Sequence, residues 1–484
     1  MKKTKRAFFR IERDFLGELS IPRGAYYGIQ TQRAFQNFPI SGLKARPQLI
    51  MALAMVKRAA TEANMALGSL DKKRALAIIK ASEEVINGGH LKEFIVDAYN
   101  SGAGTSLNMN ANEVIANRAI EMLGGARGDY SIVHPNDHVN MSQSSNDVIP
   151  TAIRIAAIIS SAALLRELKA LSLALGGKSA EFRDIVKSGR THFQDAAPIT
   201  LGAEFSSYRA SIDSAIGTVK NSLSRLMQIG LGATAVGTGI NTHPKYKVAA
   251  LKALREITGI RCLKKARNAC KYLSSADDFL LFSASLRGAS VELIRIANDL
   301  RLLSSGPNTG LREITLPPVQ PGSSIMPGKV NPVIPEMLVM VCCQVIGNDQ
   351  AVLVASQAGS LELNVMTPVI CQNILTSVAL LSNAAGVFNK RCVAGIKADR
   401  QRCRQYFEDS SGVATALNRF IGYGAASDVA KEATGSGRSV KEIVIEKKIM
   451  SEREWDGLVS SGAFLGPYRI KTGTKRGTAK KRRG

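Results

Sequence analysis

Apolar residues recur every three to four positions along most of the chain, the period of an α-helix. Such patterns run from Pro47 to Gly68, from Lys72 to Asn87 and from about Asn108 to Leu123. Longer ones cover Pro150 to about Leu175 and, approximately, residues 203–229, 274–304, 333–358 and 366–390. Five long amphipathic helices predict a bundle. No convincing alternating strand set interrupts them, so the central part is expected to be all-α. Arg10 to Gly28 predicts an extended arm with a Pro-Arg-Gly turn, and beyond about residue 400 the helical patterns shorten, as at Val440–Lys447 and Ser451–Val459. The chain of 484 residues is longer than one core usually supports. The expected division is a mixed, mainly helical domain over 1–145, a central helical bundle over 146–398, a small helical C-terminal domain over 399–468 and a basic, disordered tail over 469–484.

Between the apolar stretches lie segments whose side chains carry chemistry. Gly322-Ser323-Ser324-Ile325-Met326-Pro327-Gly328-Lys329-Val330-Asn331-Pro332 is a loop, because its glycines and prolines break regular structure. It offers two hydroxyls, an ammonium and a carboxamide, which suit proton transfer and carboxylate binding; an ordinary surface loop fits the same residues. Asn100 to Ser106 is a small-residue turn feeding a helix, suited to an anion or simply a turn. His134 to Asp147 is too polar to be core. Gly189 to Ala196 places His192 beside Thr191, Gln194 and Asp195, which fits either a structural histidine or a polar pocket. Gly230 to Gly239 is glycine-rich but has the wrong spacing for a dinucleotide fingerprint and follows a helix.

Composition refines this only slightly. Hydrophobic residues make up 45% of the chain and aromatics 5%, which favours helices packed through small aliphatic side chains. The net charge of +25 sits partly at the ends, with eight Lys and Arg from Arg469 onward and five in the first ten residues. Without an aromatic-interleaved basic motif, this reads as solvated charge in preference to a specific nucleic-acid site. The local run from Arg261 to Lys271 is assigned no chemistry. Seven cysteines show neither metal-ligand spacing nor a disulfide framework, so a reducing cytoplasm and no metal are expected. Leu363 to Asn389 is free of charge and long enough to span a bilayer, yet its Asn, Gln and Pro residues favour a helix buried inside a bundle over a membrane span.

Four blocks, GAGTSLNMNANEV, HPNDHVNMSQSSNDVIPTA, GRTHFQDAAPITLGAEF and GSSIMPGKVNP, resemble the signatures of the aspartase/fumarase superfamily. The resemblance covers nearly the whole chain apart from the basic tail. It implies a mainly α, three-domain fold whose central bundle forms the helical core of a homotetramer, with each active site built from three subunits. RIERDFLGELSIPRGAYYGIQT, NDLRLLSSGP, QVIGND and LELNVM are most similar to the aspartase branch; His134 and Ser145 are similar to the fumarase branch. The implied reaction removes a proton beside a carboxylate and expels ammonia, or water in the alternative, to give fumarate without a cofactor. A catalytically idle scaffold or nucleic-acid-binding homologue is a remote alternative, disfavoured by the intact residue set.

By the same resemblance, Ser323 is the base, and Thr105, Ser144, Ser145 and Ser324 donate to the carboxylate that becomes the aci-anion. Lys329 and Asn331 hold the other carboxylate. Asn146, Thr191 and His192 surround the amino group, and Glu336 orients His192. The weak carbon acid makes stabilisation of the doubly negative intermediate the central difficulty. Gly322 and Gly328 are expected to let the Ser323 loop open and close.

Overall fold

The computed structural model describes residues 8–466; the basic tail lies outside the described residues. A hairpin of β1 (Phe9–Asp14) and β2 (Gly17–Pro22) occupies the predicted arm. The helices α1 (Ile29–Asn37), α2 (Pro47–Ala66), α3 (Lys72–Ile86) and α4 (Thr105–Met122) follow. Their starts obey local chemistry: Pro47 supplies the fixed φ of a first helical residue, and the Asp71 side chain accepts the Arg74 amide.

The long helices α5 (Ser145–Glu181) and α6 (Leu201–Leu226) come next, and five further helices follow them. In order these are α7 (Tyr246–Thr258), α8 (Ala269–Ser274), α9 (Asp277–Leu303), α10 (Val333–Ser356) and α11 (Thr367–Arg391), of which α7 and α8 are short. The long helix α5 begins at Ser145, ahead of Pro150, because the proline falls near the helix start and removes only one ladder donor. Along α9, Phe279, Phe282, Leu286, Ala289, Leu293, Ile296, Leu300 and Leu303 are buried, alternating steps of three and four. The same steps run through Leu201, Phe205, Tyr208, Ile212, Ala215, Val219, Ser222 and Leu226 of α6. These are the narrow seams of coiled-coil-like packing.

One expectation needs correcting. Between α5 and α6 the chain forms an antiparallel hairpin of β3 (Val186–Thr191) and β4 (Gln194–Thr200), so the central part is not all-α. The pattern was hidden because this hairpin is short, half-exposed and carries a register shift between Ser188 and Arg190. At Gly189 a Cβ would lie 2.5 Å from the Ala197 carbonyl oxygen, so only glycine fits the irregular step.

Residue contacts group the chain into two units assembled from non-consecutive segments. The first holds the described residues up to Leu173, with Ala210–Arg301 and Pro318–Ala394. The second holds Ala174–Arg209, Leu302–Pro317 and the described residues from Gly395 on. It contains the helices α12 (Arg400–Asp409), α13 (Val413–Ile421), α14 (Tyr423–Ser436), α15 (Val440–Glu446) and α16 (Glu452–Ser460). Trp455 is buried there, with its ring centroid 6.3 Å from Phe407 and 5.2 Å from Phe464. By length and composition, Ser145–Glu181, Val333–Ser356 and Thr367–Gly395 could each cross a membrane. The first and third bury most of their apolar windows within the fold, in line with the buried-helix reading of Leu363 to Asn389.

Candidate active site

In the first unit the polar segment before α5 folds against the start of α4. Ser144 precedes α5 and caps it: its hydroxyl oxygen accepts the Asn146 amide at 3.2 Å, and its own amide donates to Asp147 Oδ1 at 3.0 Å. Ser145 Oγ accepts from Asn108 Nδ2 at 3.0 Å, which leaves the Ser145 hydroxyl proton free to be donated elsewhere. Asn146 Nδ2 is occupied by the Ala235 carbonyl at 2.8 Å. Thr105 opens α4 after Gly104 in the left-handed conformation, and it is exposed. The structure thus joins the Ser144–Asn146 turn to α4 through Asn108, one turn beyond Thr105. The hydroxyls of Thr105, Ser144 and Ser145, set at the positive ends of two helices, make a setting for an anion.

Beneath this turn lie two buried charges. Lys57 Nζ donates to Asn140 Oδ1 at 2.8 Å and to Gln143 Oε1 at 3.0 Å. Burial pushes the Lys57 ammonium down to about 7, with Asp147 opposing the shift. Burial also pushes the Asp147 carboxyl up to about 6, against the amides of Ser144, Thr234 and Gly232. The glycine-rich segment therefore does cradle an anion, and the anion is this chain's own Asp147: Gly232 N and Thr234 N donate to Oδ2 at 2.9 and 2.8 Å. A lysine whose folded pKa lies below its usual 10.5 binds its proton less firmly than in the unfolded chain, so its contribution to stability rises as pH climbs from about 7. Lys57→Met is expected to remove that slope. Thermal unfolding of both proteins between about pH 7 and 9, within the range set by this linkage, checks it: parallel curves would refute the shift.

The Ser323 loop is also in the first unit. Its neck is closed by the Gly322 amide on the Lys329 carbonyl at 2.8 Å and by Asn331 Nδ2 on the Gly322 carbonyl at 2.6 Å. A Cβ on Gly322 would lie 2.6 Å from Lys329 O and Asn331 N, so this glycine serves close approach, whereas Gly328, at φ 82°, serves the turn. Inside the loop, Ser323 Oγ accepts the amides of Ile325 at 3.2 Å and Met326 at 3.0 Å. Two N–H groups aimed at a hydroxyl oxygen favour its anion. Ser324 and Lys329 are exposed, and no ion pair among the described residues involves Lys329. Glu336 stands in the first turn of α10, 3.9 Å from Arg301.

Thr191 and His192 belong to the second unit, at the tip of the β3–β4 hairpin. Thr191 pairs with Gln194, so His192 and Phe193 form a two-residue turn, and both have positive φ, 55° and 58°. Asn-Gly is the usual choice for that turn, and a non-glycine pair in it is strained. The hairpin is anchored from below by buried charges: Arg190 Nη1 lies 2.8 Å from Glu313 Oε1, and Lys187 Nζ lies 2.6 Å from Glu313 and 2.8 Å from Glu204. Burial pushes the Glu204 carboxyl up. Since Phe193 is exposed, Phe193→Gly is expected to stabilise the fold by about 1 kcal/mol in urea unfolding. A destabilised variant would show that the ring has a packing role.

Comparison with known proteins decides the family. Residues 17–347 match the lyase family, and residues 413–465 match the fumarase C C-terminal family. The chain is 46% identical over 473 residues to the aspartate ammonia-lyase of Bacillus subtilis, covering 98% of each chain. The chain belongs to the aspartase/fumarase family of lyases. Within that family it is also 48% identical to the aspartate ammonia-lyase of Pseudomonas aeruginosa, over 92% of this chain and 94% of that one. Among solved structures, a fumarate lyase:delta crystallin from Brucella melitensis bound to cobalt superposes with a TM-score of 0.90 at 47% identity, covering 94% of this chain and 99% of that one. The class II fumarase of Schistosoma mansoni gives a TM-score of 0.89 at 36% identity, with the same coverage. Every candidate site residue named from the sequence falls inside the stretch matched by the lyase family.

Sequence reasoning missed Lys57, Asn108, Asp147, Arg190 and Glu313 as supports of the site. Lys57 carried a signal: it lies on the stripe of Leu49, Leu53, Val56 and Ala60, where a lysine has no business unless it is partnered inside. The basic run 263–272 also resolves: Tyr272 and Leu273 turn inward, Tyr272 Oη meets Thr151 Oγ1 at 2.9 Å, and the lysines at 264 and 265 remain exposed.

Proposed function

We propose that this chain is an aspartate ammonia-lyase, interconverting L-aspartate with fumarate and ammonia. The observation that carries the reading is near-full-length identity of 46–48% to several aspartate ammonia-lyases, against 36% to a class II fumarase. In the proposed mechanism Ser323 removes the Cβ proton as an alkoxide. The Ile325 and Met326 amides on its oxygen support that state, and closure of the loop excludes water. Thr105, Ser144, Ser145 and Ser324 receive the β-carboxylate as it becomes the aci-anion. Lys329 and Asn331 hold the α-carboxylate, for which Asn331 would exchange its bond to Gly322. Asn146, Thr191 and His192 surround the leaving amine, with Glu336 orienting His192.

The proposed assembly is a homotetramer, with sites shared among three subunits, acting on a small dicarboxylate in the cytoplasm. Its support is a second apolar stripe on the long helices: Leu173, Leu281, Val291, Met340, Leu353 and Val354 are exposed in the single chain. The three-part division at 145 and 398 is retained as the proposed domain description. Purified protein offered L-aspartate should form fumarate, read by ultraviolet absorbance, with equimolar ammonia. Fumarate from L-malate alone would instead give the hydratase, with His134 and Ser145 as its markers.

A further inference from the structure

The proposed chemistry makes no use of the polar layer buried under the Ser144–Asn146 turn, yet that layer dictates how the turn is presented. Lys57 Nζ, which keeps at least two N–H donors whether or not it is charged, donates to the oxygens of both carboxamides. Their NH2 groups are thereby sent to the backbone: Asn140 Nδ2 to Gln143 O at 3.3 Å, and Gln143 Nε2 to Val139 O at 2.9 Å and Met141 O at 3.1 Å. Asn140 Oδ1 also accepts Asn108 Nδ2 at 3.2 Å, and the same NH2 group reaches Ser145 Oγ at 3.0 Å. A chain of hydrogen bonds therefore leads from the Lys57 ammonium through Asn140 and Asn108 to the Ser145 hydroxyl. Asp147 fixes the other end of the turn through the Ser144 amide.

We propose that Lys57 is a positioning residue for the dicarboxylate site, setting through Asn140, Gln143 and Asn108 the direction in which Ser144 and Ser145 donate. The inference rests on the functional reading above, which gives those hydroxyls the β-carboxylate. Without Lys57 the Asn140 and Gln143 amides are free to flip, Asn108 loses its fixed acceptor, and the Ser145 proton is no longer directed outward. The defect is one of substrate grip, not of folding alone.

Lys57→Met keeps the side-chain volume and deletes the donors; Gln143→Leu, at a half-buried position, deletes one acceptor and leaves Lys57 in place. Binding of succinate, a C4 dicarboxylate without the amino group, is measured by calorimetry on the full-length wild type and both variants, beside steady-state kinetics with L-aspartate. The expected result is succinate affinity weakened about tenfold or more in Lys57→Met and less in Gln143→Leu, with KM for aspartate rising in step and kcat falling less. Unchanged KM and succinate affinity, with kcat lowered only as far as the folded fraction read by circular dichroism is lowered, would overturn the proposal. So would a soluble, folded Gln143→Leu that binds succinate as wild type does. Should the wild type bind succinate yet not deaminate aspartate, the functional reading fails while the succinate affinities still decide the role of Lys57. A wild type that does neither removes both.

Discussion

Ser323→Ala is expected to abolish deamination, lowering kcat by at least about a thousandfold, while the fold and the assembly state stay as in the wild type. The physical reason is that the missing atom is the proposed acceptor of the proton from a carbon acid too weak for solvent to deprotonate, and of the loop's two hydroxyl oxygens it is the one on which two backbone amides converge. The substitution also removes the acceptor of the Ile325 and Met326 amides. Those amides lie in an exposed loop where water replaces the lost partner, so the stability cost is small, within about 1 kcal/mol. Ser324→Ala is the control: it removes a proposed donor from the same loop and should reduce rate by roughly ten- to a hundredfold, as expected of one transition-state hydrogen bond. Near-normal turnover in Ser323→Ala would end the assignment of Ser323 as base and shift attention to the other hydroxyls of the site.

Much of the fold was legible because the helices announce themselves by period. The predicted start of the helix at Pro47 and the predicted span 333–358 came within two residues of what forms, since Pro47 and Pro332 mark where helices can begin. The β3–β4 hairpin was not legible. Its turn is His192-Phe193, with none of the glycine or asparagine that flags a two-residue hairpin, and its bulge breaks the alternation of inward and outward residues. The loop of Ser323 could be read directly, because glycine and proline punctuate it. Its inner geometry could not: nothing in Gly322-Ser323-Ser324 says that Asn331 returns to close the neck. The supports of the site were the hardest to see. Lys57 and Asp147 come together from positions 90 residues apart in sequence, and a buried charge declares its partner only when the fold does.

Lys329→Ala is expected to act on binding more than on chemistry. Lys329 is exposed on the Ser323 loop and no ion pair among the described residues engages it, so its ammonium is available to a carboxylate when the loop closes. In the proposed closed site, with water excluded, deleting one partner of a hydrogen-bonded charge pair costs about 2–5 kcal/mol, roughly thirtyfold to several thousandfold in apparent affinity. KM for aspartate should rise by that range. Lys329→Arg separates charge from shape: if charge alone mattered it would recover most of the affinity, whereas a site fitted to the compact ammonium recovers little, because the guanidinium is planar and larger. Raising ionic strength provides the second axis, since screening should weaken wild-type binding more than that of Lys329→Ala, the variant having less charge to screen. An unchanged KM in Lys329→Ala would show that the α-carboxylate is held elsewhere, and the basic side chains outside this loop would then become the ones to test.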